Sequence, residues 1–197
     1  MVCKELNRAY IPAESKVIEL GSGYCDFINN IHAIERYALD GYLDPNKYTA
    51  EGIKCFFQLI TDAVDLPDDY FDTVFASNLL EHLHSNELDH FSALVRRILK
   101  PHGKLILIQP NFYYAYREYF HDFTHRLIFT HISLADYLKS KDFTIHTVRK
   151  KYLPYSLTSR VAAAVPLPLF RAALKLYMSL PFKPLGRQML VIAEKSV

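Results

Sequence analysis

The run Val17-Ile18-Glu19-Leu20-Gly21-Ser22-Gly23-Tyr24-Cys25-Asp26-Phe27 sets two glycines at the end of a short apolar stretch. Glycines at a strand-to-helix turn let backbone come close to a ligand, and the helix that follows offers free N–H groups to it. A tight turn with no ligand has the same local sequence, so the residues further along decide. Asp40 stands 19 residues after Gly21, is followed by Gly41, and ends a second strand-like segment. A carboxylate there can accept both hydroxyls of a ribose, at the spacing of nucleoside-binding strand–turn–helix units. Asp62-Ala63 follows a third such segment, and Asn78-Leu79-Leu80-Glu81-His82 a fourth. Each alone reads as a surface turn, where Asp and Asn are common. Four turns along one sheet edge point to one crevice at a topological switch point.

Histidine is the usual side chain for taking a hydroxyl proton. Of nine histidines, His82 and His84 lie just past the fourth segment, and His121 and His125 bracket His121-Asp122-Phe123-Thr124-His125 beyond the fifth. These four are the candidate catalytic residues, and the plainer reading of any one is a hydrogen-bonded structural histidine. His121 and His125 are four residues apart, and Glu81-His82-x-His84 adds ligand types, but H-E-x-x-H is absent and no metal is expected. The aromatic run Phe112-Tyr113-Tyr114-Ala115-Tyr116-Arg117-Glu118-Tyr119-Phe120 suits a sugar or an aromatic ring, or packs a helix onto a sheet.

The elements that must position these residues alternate. Strands are expected at Val17–Leu20, Glu35–Leu39, Lys54–Ile60, Thr73–Ala76, Lys104–Gln109, Phe143–Val148 and Gln188–Ala193. Helices are expected at Tyr24–Ala33, at Leu88–Leu99 ahead of the breaker Lys100-Pro101-His102-Gly103, and at Ser133–Ser140. Strands separated by helical crossovers imply an α/β fold, a mostly parallel sheet covered on both faces. Residues 1–197 suit one domain, with an appended basic, apolar helical insert at about 151–186.

Half the residues are hydrophobic and 22% are charged, a globular profile. From Phe143 to Ala193 there are eight Lys or Arg and no Asp or Glu, whereas the rest of the chain is net acidic. Arg160, Arg171, Lys175, Lys183 and Arg187 punctuate Val161, Leu167, Leu169, Phe170, Leu174, Leu176, Tyr177, Met178 and Phe182. Cations beside an apolar face fit a helix lying on an anionic membrane surface; a core-packing helix or a homodimer interface is the plainer reading. Nucleic acid is not expected, because the basic residues are interleaved with aliphatics. Cys3, Cys25 and Cys55 form neither a zinc motif nor a disulfide framework, which fits a cytoplasmic setting. No signal peptide is apparent, and the apolar run Val161–Phe170 is too short to span a bilayer.

From Ser15 to Asn111 the chain resembles the class I S-adenosylmethionine-dependent methyltransferases, especially the ubiquinone-biosynthesis-like branch. Glu19-Leu20-Gly21-Ser22-Gly23-Tyr24-Cys25 matches the first motif, Phe71–His82 the fourth-strand block, and Leu99-Lys100-Pro101-His102-Gly103 the turn before strand five. The resemblance implies a Rossmann-like sheet of seven strands with the last antiparallel, between strands five and six. It implies S-adenosyl-L-methionine as cofactor, held by Glu19, Gly21, Gly23, Asp40, Gly41, Asp62, Ala63 and Asn78, with the aromatic run at the acceptor pocket. Cys25 departs from the family's third glycine, and only sixteen residues precede Val17 where the family generally carries a longer helical lid. Phe123-Thr124-His125 followed by a helix is similar to methyltransferases found beside glycan-assembly enzymes. The expected acceptor is a small molecule, a glycan or a lipid-linked group, methylated on oxygen by in-line transfer. The alternative is a catalytically inert subunit of the same fold acting through its apolar tail. A nicotinamide dehydrogenase needs Gly-x-Gly-x-x-Gly, and position 26 is Asp.

Overall fold

The computed structural model describes residues 2–62, 66–155, 166–180 and 183–196. Its strands are β1 (Lys16–Leu20), β2 (Glu35–Asp40), β3 (Ile53–Phe57), β4 (Phe71–Ser77), β5 (Leu99–Pro110), β6 (Phe143–Pro154) and β7 (Gly186–Lys195). They form one sheet in the order β3-β2-β1-β4-β5-β7-β6. β1 to β5 pair in parallel, and β7 runs antiparallel between β5 and β6. This is the Rossmann-like methyltransferase sheet that the resemblance implied.

Alternation along the strands builds two cores. Ile18, Leu105, Leu107, Met189 and Val191 face one, packed under Leu88, Phe91, Val95 and Leu134. Val17, Ile106, Ile108, Leu190 and Ile192 face the other, with Leu6, Phe27 and Ile28. The helices are α1 (Val2–Tyr10), α2 (Asp26–Asn29), α3 (Ser85–Ile98), α4 (Phe112–Ala115), α5 (His131–Ser140) and α6 (Leu167–Ser179) among the described residues.

Several elements depart from the sequence expectation for visible reasons. The helix expected at Tyr24–Ala33 shrinks to the four residues of α2. Cys25 enters it in a left-handed conformation, and the Asn30 side chain donates to the Asp26 carbonyl, replacing the next turn's N–H. The breaker Lys100–Gly103 does end α3, but its residues are absorbed into β5 through a register shift. β6 runs on to Pro154, so residues 151–154 belong to the sheet, and the described part of the expected insert is α6. No α6 residue whose side chain is described is buried, and Leu169 and Leu176 are 63% and 64% exposed. The side chains of Leu167, Phe170, Arg171 and Met178 lie outside the described ones, as do residues Arg160, Val161 and Phe182. α1 seats Leu6 in the second core, and Asn7 ties it to His32 through both its amide and its carbonyl oxygen. No α1 residue lines either cavity at the glycine-turn edge.

Candidate functional site

The β1–α2 turn is held left-handed at Gly21 (φ +68°) and Gly23 (φ +51°), conformations that cost a residue with a Cβ about 1–2 kcal/mol. A Cβ on Gly21 would also meet the Leu79 side chain at 2.8 Å, whereas Gly23 faces open space. The turn's amides are largely committed. Gly21 and Ser22 N–H donate to the Leu39 carbonyl, and Cys25 N–H donates to Ser22. Gly23 N–H donates to Asp40 Oδ2 at 2.8 Å. Ile28 N–H donates to Glu19 Oε2 at 3.0 Å. The expected row of free helix N–H groups is thus reduced, and a four-residue helix adds little dipole. Glu19 is buried, and burial pushes its carboxyl up to about 8, opposed by the Ile28 hydrogen bond.

Asp40, also buried, accepts Tyr42 N–H and Leu43 N–H on Oδ1 as well as Gly23 N–H on Oδ2. A carboxylate offers about four acceptor positions, so one on Oδ2 is left for a ligand hydroxyl. Beside it Gly21, Leu39, Gly41, Leu59, Ile60, Thr61, Leu79, His82, Leu83 and Glu87 enclose a crevice of about 80 Å³. Its walls are mostly aliphatic, which suits the faces of a heteroaromatic ring. A spare carboxylate position, an open approach at Gly23 and an apolar slot fit the adenosine portion of S-adenosylmethionine. Asp62 is exposed, its carboxylate accepting Leu59 N–H at 3.2 Å, and does not line the crevice; Thr61 does. Ala63 lies outside the described residues.

A second cavity, about 400 Å³, is lined by Ser77, Asn78, Glu81, His82, Pro110, Asp122, His125, Leu153, Pro154, Tyr155 and Gln188. His82 lines both cavities, so they adjoin there. Asn78, left-handed at φ +48°, accepts from Gln188 Nε2 at 2.9 Å. The His82 and His125 rings stand edge-to-face at 4.9 Å. Thr124 Oγ1 lies 2.5 Å from Asp122 Oδ1 and 2.9 Å from His82 Nδ1. The two Thr124 bonds, one from its N–H, hold the Asp122 carboxyl below its usual range. Desolvation and the neighbouring His125 push His82 down.

Glu81 sits in a short 3₁₀ turn and is 1% exposed, and neither of its carboxylate oxygens has a hydrogen-bond partner. Burial and the charge of Asp122 push its carboxyl up to about 8, against a weak opposing contact with its own N–H. Its carbonyl accepts Arg126 N–H at 2.7 Å and Leu127 N–H at 3.1 Å, which pins the His125 loop against it.

Of the four candidate histidines, the structure brings His82 and His125 together and leaves two outside. His84 precedes α3, its N–H bonded to Glu87 and its exposed ring against Arg126. His121 is exposed and lines neither cavity. In the aromatic run only Tyr119 and Ala115 are buried. Tyr113, Tyr116 and Phe120 are more than half exposed, so they line neither core nor cavity. Sequence reasoning missed Tyr155, just past β6, and Gln188, near the start of β7, which line the cavity and carry no motif. It named Glu81 without its isolation, which only packing reveals.

The methyltransferase-domain family profile matches residues 18–107. No curated protein matches the chain. Among solved structures, a SAM-dependent methyltransferase from Archaeoglobus fulgidus is 22% identical with a TM-score of 0.65, covering 98% of this chain and 93% of its own. An S-adenosylmethionine-dependent methyltransferase from Mesorhizobium loti is 16% identical with a TM-score of 0.65, covering 97% and 96%. The 1,6-didemethyltoxoflavin-N1-methyltransferase of Burkholderia thailandensis, solved with S-adenosylhomocysteine, is 16% identical with a TM-score of 0.63, covering 100% and 77%. The profile match over residues 18–107 and the strand order give this chain the fold of the S-adenosylmethionine-dependent methyltransferases.

Proposed function

We propose that the chain transfers a methyl group from S-adenosylmethionine to an oxygen of a small-molecule, glycan or lipid-linked acceptor seated in the larger cavity. The observation that carries this reading is the junction at His82, which joins the apolar crevice beside Asp40 to a polar cavity. The bound cofactor supplies an electrophilic methyl on a sulfonium. The protein's part is to align, enclose and activate. Asp40 accepts a ribose hydroxyl at its remaining Oδ2 position, and Leu59, Ile60 and Leu79 flank the base. Asn78, Tyr155 and Gln188 offer polar atoms to the acceptor, and burial pushes the Tyr155 phenol up to about 12, so it stays a donor. An oxygen acceptor must lose a proton, and the His82–His125 junction is where the cavity concentrates groups able to assist. The N1-methyltransferase among the similar structures acts on nitrogen, and the same cavity with a nitrogen acceptor is the outcome to exclude by product analysis.

Calorimetric titration with S-adenosylhomocysteine tests the cofactor half. Micromolar binding is expected, weakened about tenfold or more, roughly 1.4 kcal/mol, by Asp40→Asn. A native chain that binds neither S-adenosylmethionine nor S-adenosylhomocysteine belongs to the inert-subunit reading.

The exposed aliphatic side of α6 supports a membrane-facing position for the acceptor. Leu169, Leu176 and Leu180 lie exposed with Lys175 beside them, and among the described residues no helix is long and apolar enough to cross a membrane. Co-flotation with vesicles containing anionic lipid, and not with neutral ones, is the expected result. Absence from both vesicle fractions removes the idea.

A further inference from the structure

We propose that Glu81, His82 and His125 form a divalent-cation site on the wall of the acceptor cavity. One ligand atom from each lies within 4.8 Å of the others. On these residues three buried atoms, both Glu81 oxygens and His125 Nδ1, have no hydrogen-bond partner. Orphaned buried polar atoms are rare, because each costs about 1–3 kcal/mol. Here they converge on the same cavity from two separate loops, held together by the backbone bonds from Arg126 and Leu127 to the Glu81 carbonyl. The neighbouring bonds do not relieve them. His82 Nε2 stands 4.0 Å from Glu81 Oε1, beyond hydrogen-bond reach.

The surroundings prepare His82 as a ligand and leave a His125 nitrogen unpartnered. Asp122 as a carboxylate can only accept, so the Thr124 hydroxyl donates to it and must accept from His82 Nδ1–H. The tautomer that results leaves the His82 Nε2 lone pair toward Glu81. His125 keeps Nδ1 as an orphan nitrogen, and its Nε2 stands 4.0 Å from Asp122 Oδ2, near enough for attraction but beyond hydrogen-bond reach. An imidazole ligand steadied through its other nitrogen by a carboxylate through one group, as Thr124 links His82 to Asp122, is a usual outer shell of a metal site.

One carboxylate and two imidazoles select a first-row cation such as Mn²⁺ or Zn²⁺ over Ca²⁺. Ligands about 2.1 Å from one ion sit about 3–3.5 Å apart, so the site closes by side-chain rotation of under about 1 Å. The open side faces the cavity, which leaves coordination positions for an acceptor oxygen. Resting on the methyltransferase reading, the cation then does the activation. The acceptor's O–H proton leaves to water, the oxygen lone pair forms the new O–C bond, and the C–S bond breaks with its electron pair kept on sulfur. The histidines act as ligands, and no separate base is required.

The test is a Mn²⁺ titration of chelator-treated full-length protein, read by bound metal per chain and by the Mn²⁺ paramagnetic resonance signal. S-adenosylhomocysteine is titrated in parallel without metal. One ion per chain is expected, with about tenfold or greater weakening by Glu81→Gln and by His125→Gln, and about tenfold by Thr124→Val. Near-ultraviolet dichroism checks that each variant is folded, and S-adenosylhomocysteine affinity should stay within about twofold of native, since none of these substitutions touches Asp40. Substoichiometric binding by the native chain, or native affinity in folded Glu81→Gln, overturns the site. Metal binding without S-adenosylhomocysteine binding leaves the cation site standing and removes the methyltransferase reading instead.

Discussion

Glu19 and Glu81 are the two acidic side chains most withdrawn from solvent around the site, 4% and 1% exposed, and burial pushes both up to about 8. In their surroundings they are opposites. Glu19 accepts the Ile28 amide and stitches β1 to α2, and it lines no cavity among those at this edge. The Glu81 carboxylate accepts nothing, and the residue lines the larger cavity beside two histidines. A raised carboxyl pKa therefore does not separate scaffold from function. What separates them is whether the carboxylate's lone pairs are spoken for within the fold.

The largest effect that can break this contrast is a pH dependence of stability. The folded-state pKa of Glu19 lies above the ordinary carboxyl value of 4.5, so the native state holds the proton more tightly than the unfolded chain. Its favourable contribution is therefore complete below about 4.5 and is lost as pH rises through about 8. Glu19→Gln keeps an acceptor for Ile28 and removes the titration. The stability of the variant relative to native should rise between about pH 5 and pH 8, by an amount bounded on the order of 5 kcal/mol. Urea unfolding in chelator at both pH values measures it. A difference that does not change with pH means Glu19 is ionised and satisfied by charge, and the two glutamates are then not alike even in titration.

The sequence made one half of this contrast readable and left the other dark. The glycine turn, Asp40 and a mostly parallel sheet follow from local rules: apolar runs of strand length, punctuation by Gly and Asp, and alternating helical crossovers. The antiparallel β7 between β5 and β6 came from the family resemblance alone. Element ends were misjudged where a side chain substitutes for backbone, as Asn30 does at α2, and where a register shift carries Lys100–Gly103 into β5. The second cavity was legible only as a set of histidines. Which two meet depends on the backbone bonds from Arg126 and Leu127 to Glu81, 45 and 46 residues away in sequence. His84 and His121 have equally suggestive spacing, yet one precedes a helix and the other faces solvent. No periodicity encodes an orphaned oxygen.

A smaller effect sharpens the contrast through its sign. Glu19→Leu leaves the buried Ile28 N–H without an acceptor, which costs about 1–3 kcal/mol. Glu81→Leu removes two buried oxygens that bond to nothing, and an apolar side chain of similar volume is neutral or stabilising there. In chelator at about pH 6, where both carboxyls are largely protonated, thermal melts should therefore move in opposite directions, or fall for Glu19→Leu alone. Adding Mn²⁺ should then raise the native melting temperature and leave Glu81→Leu unmoved, because a ligand stabilises only the state that binds it. Equal losses from the two leucine substitutions would mean that Glu81 is held by the fold as firmly as Glu19. Its isolation would then be a matter of packing, and the cavity would owe its chemistry to the histidines alone.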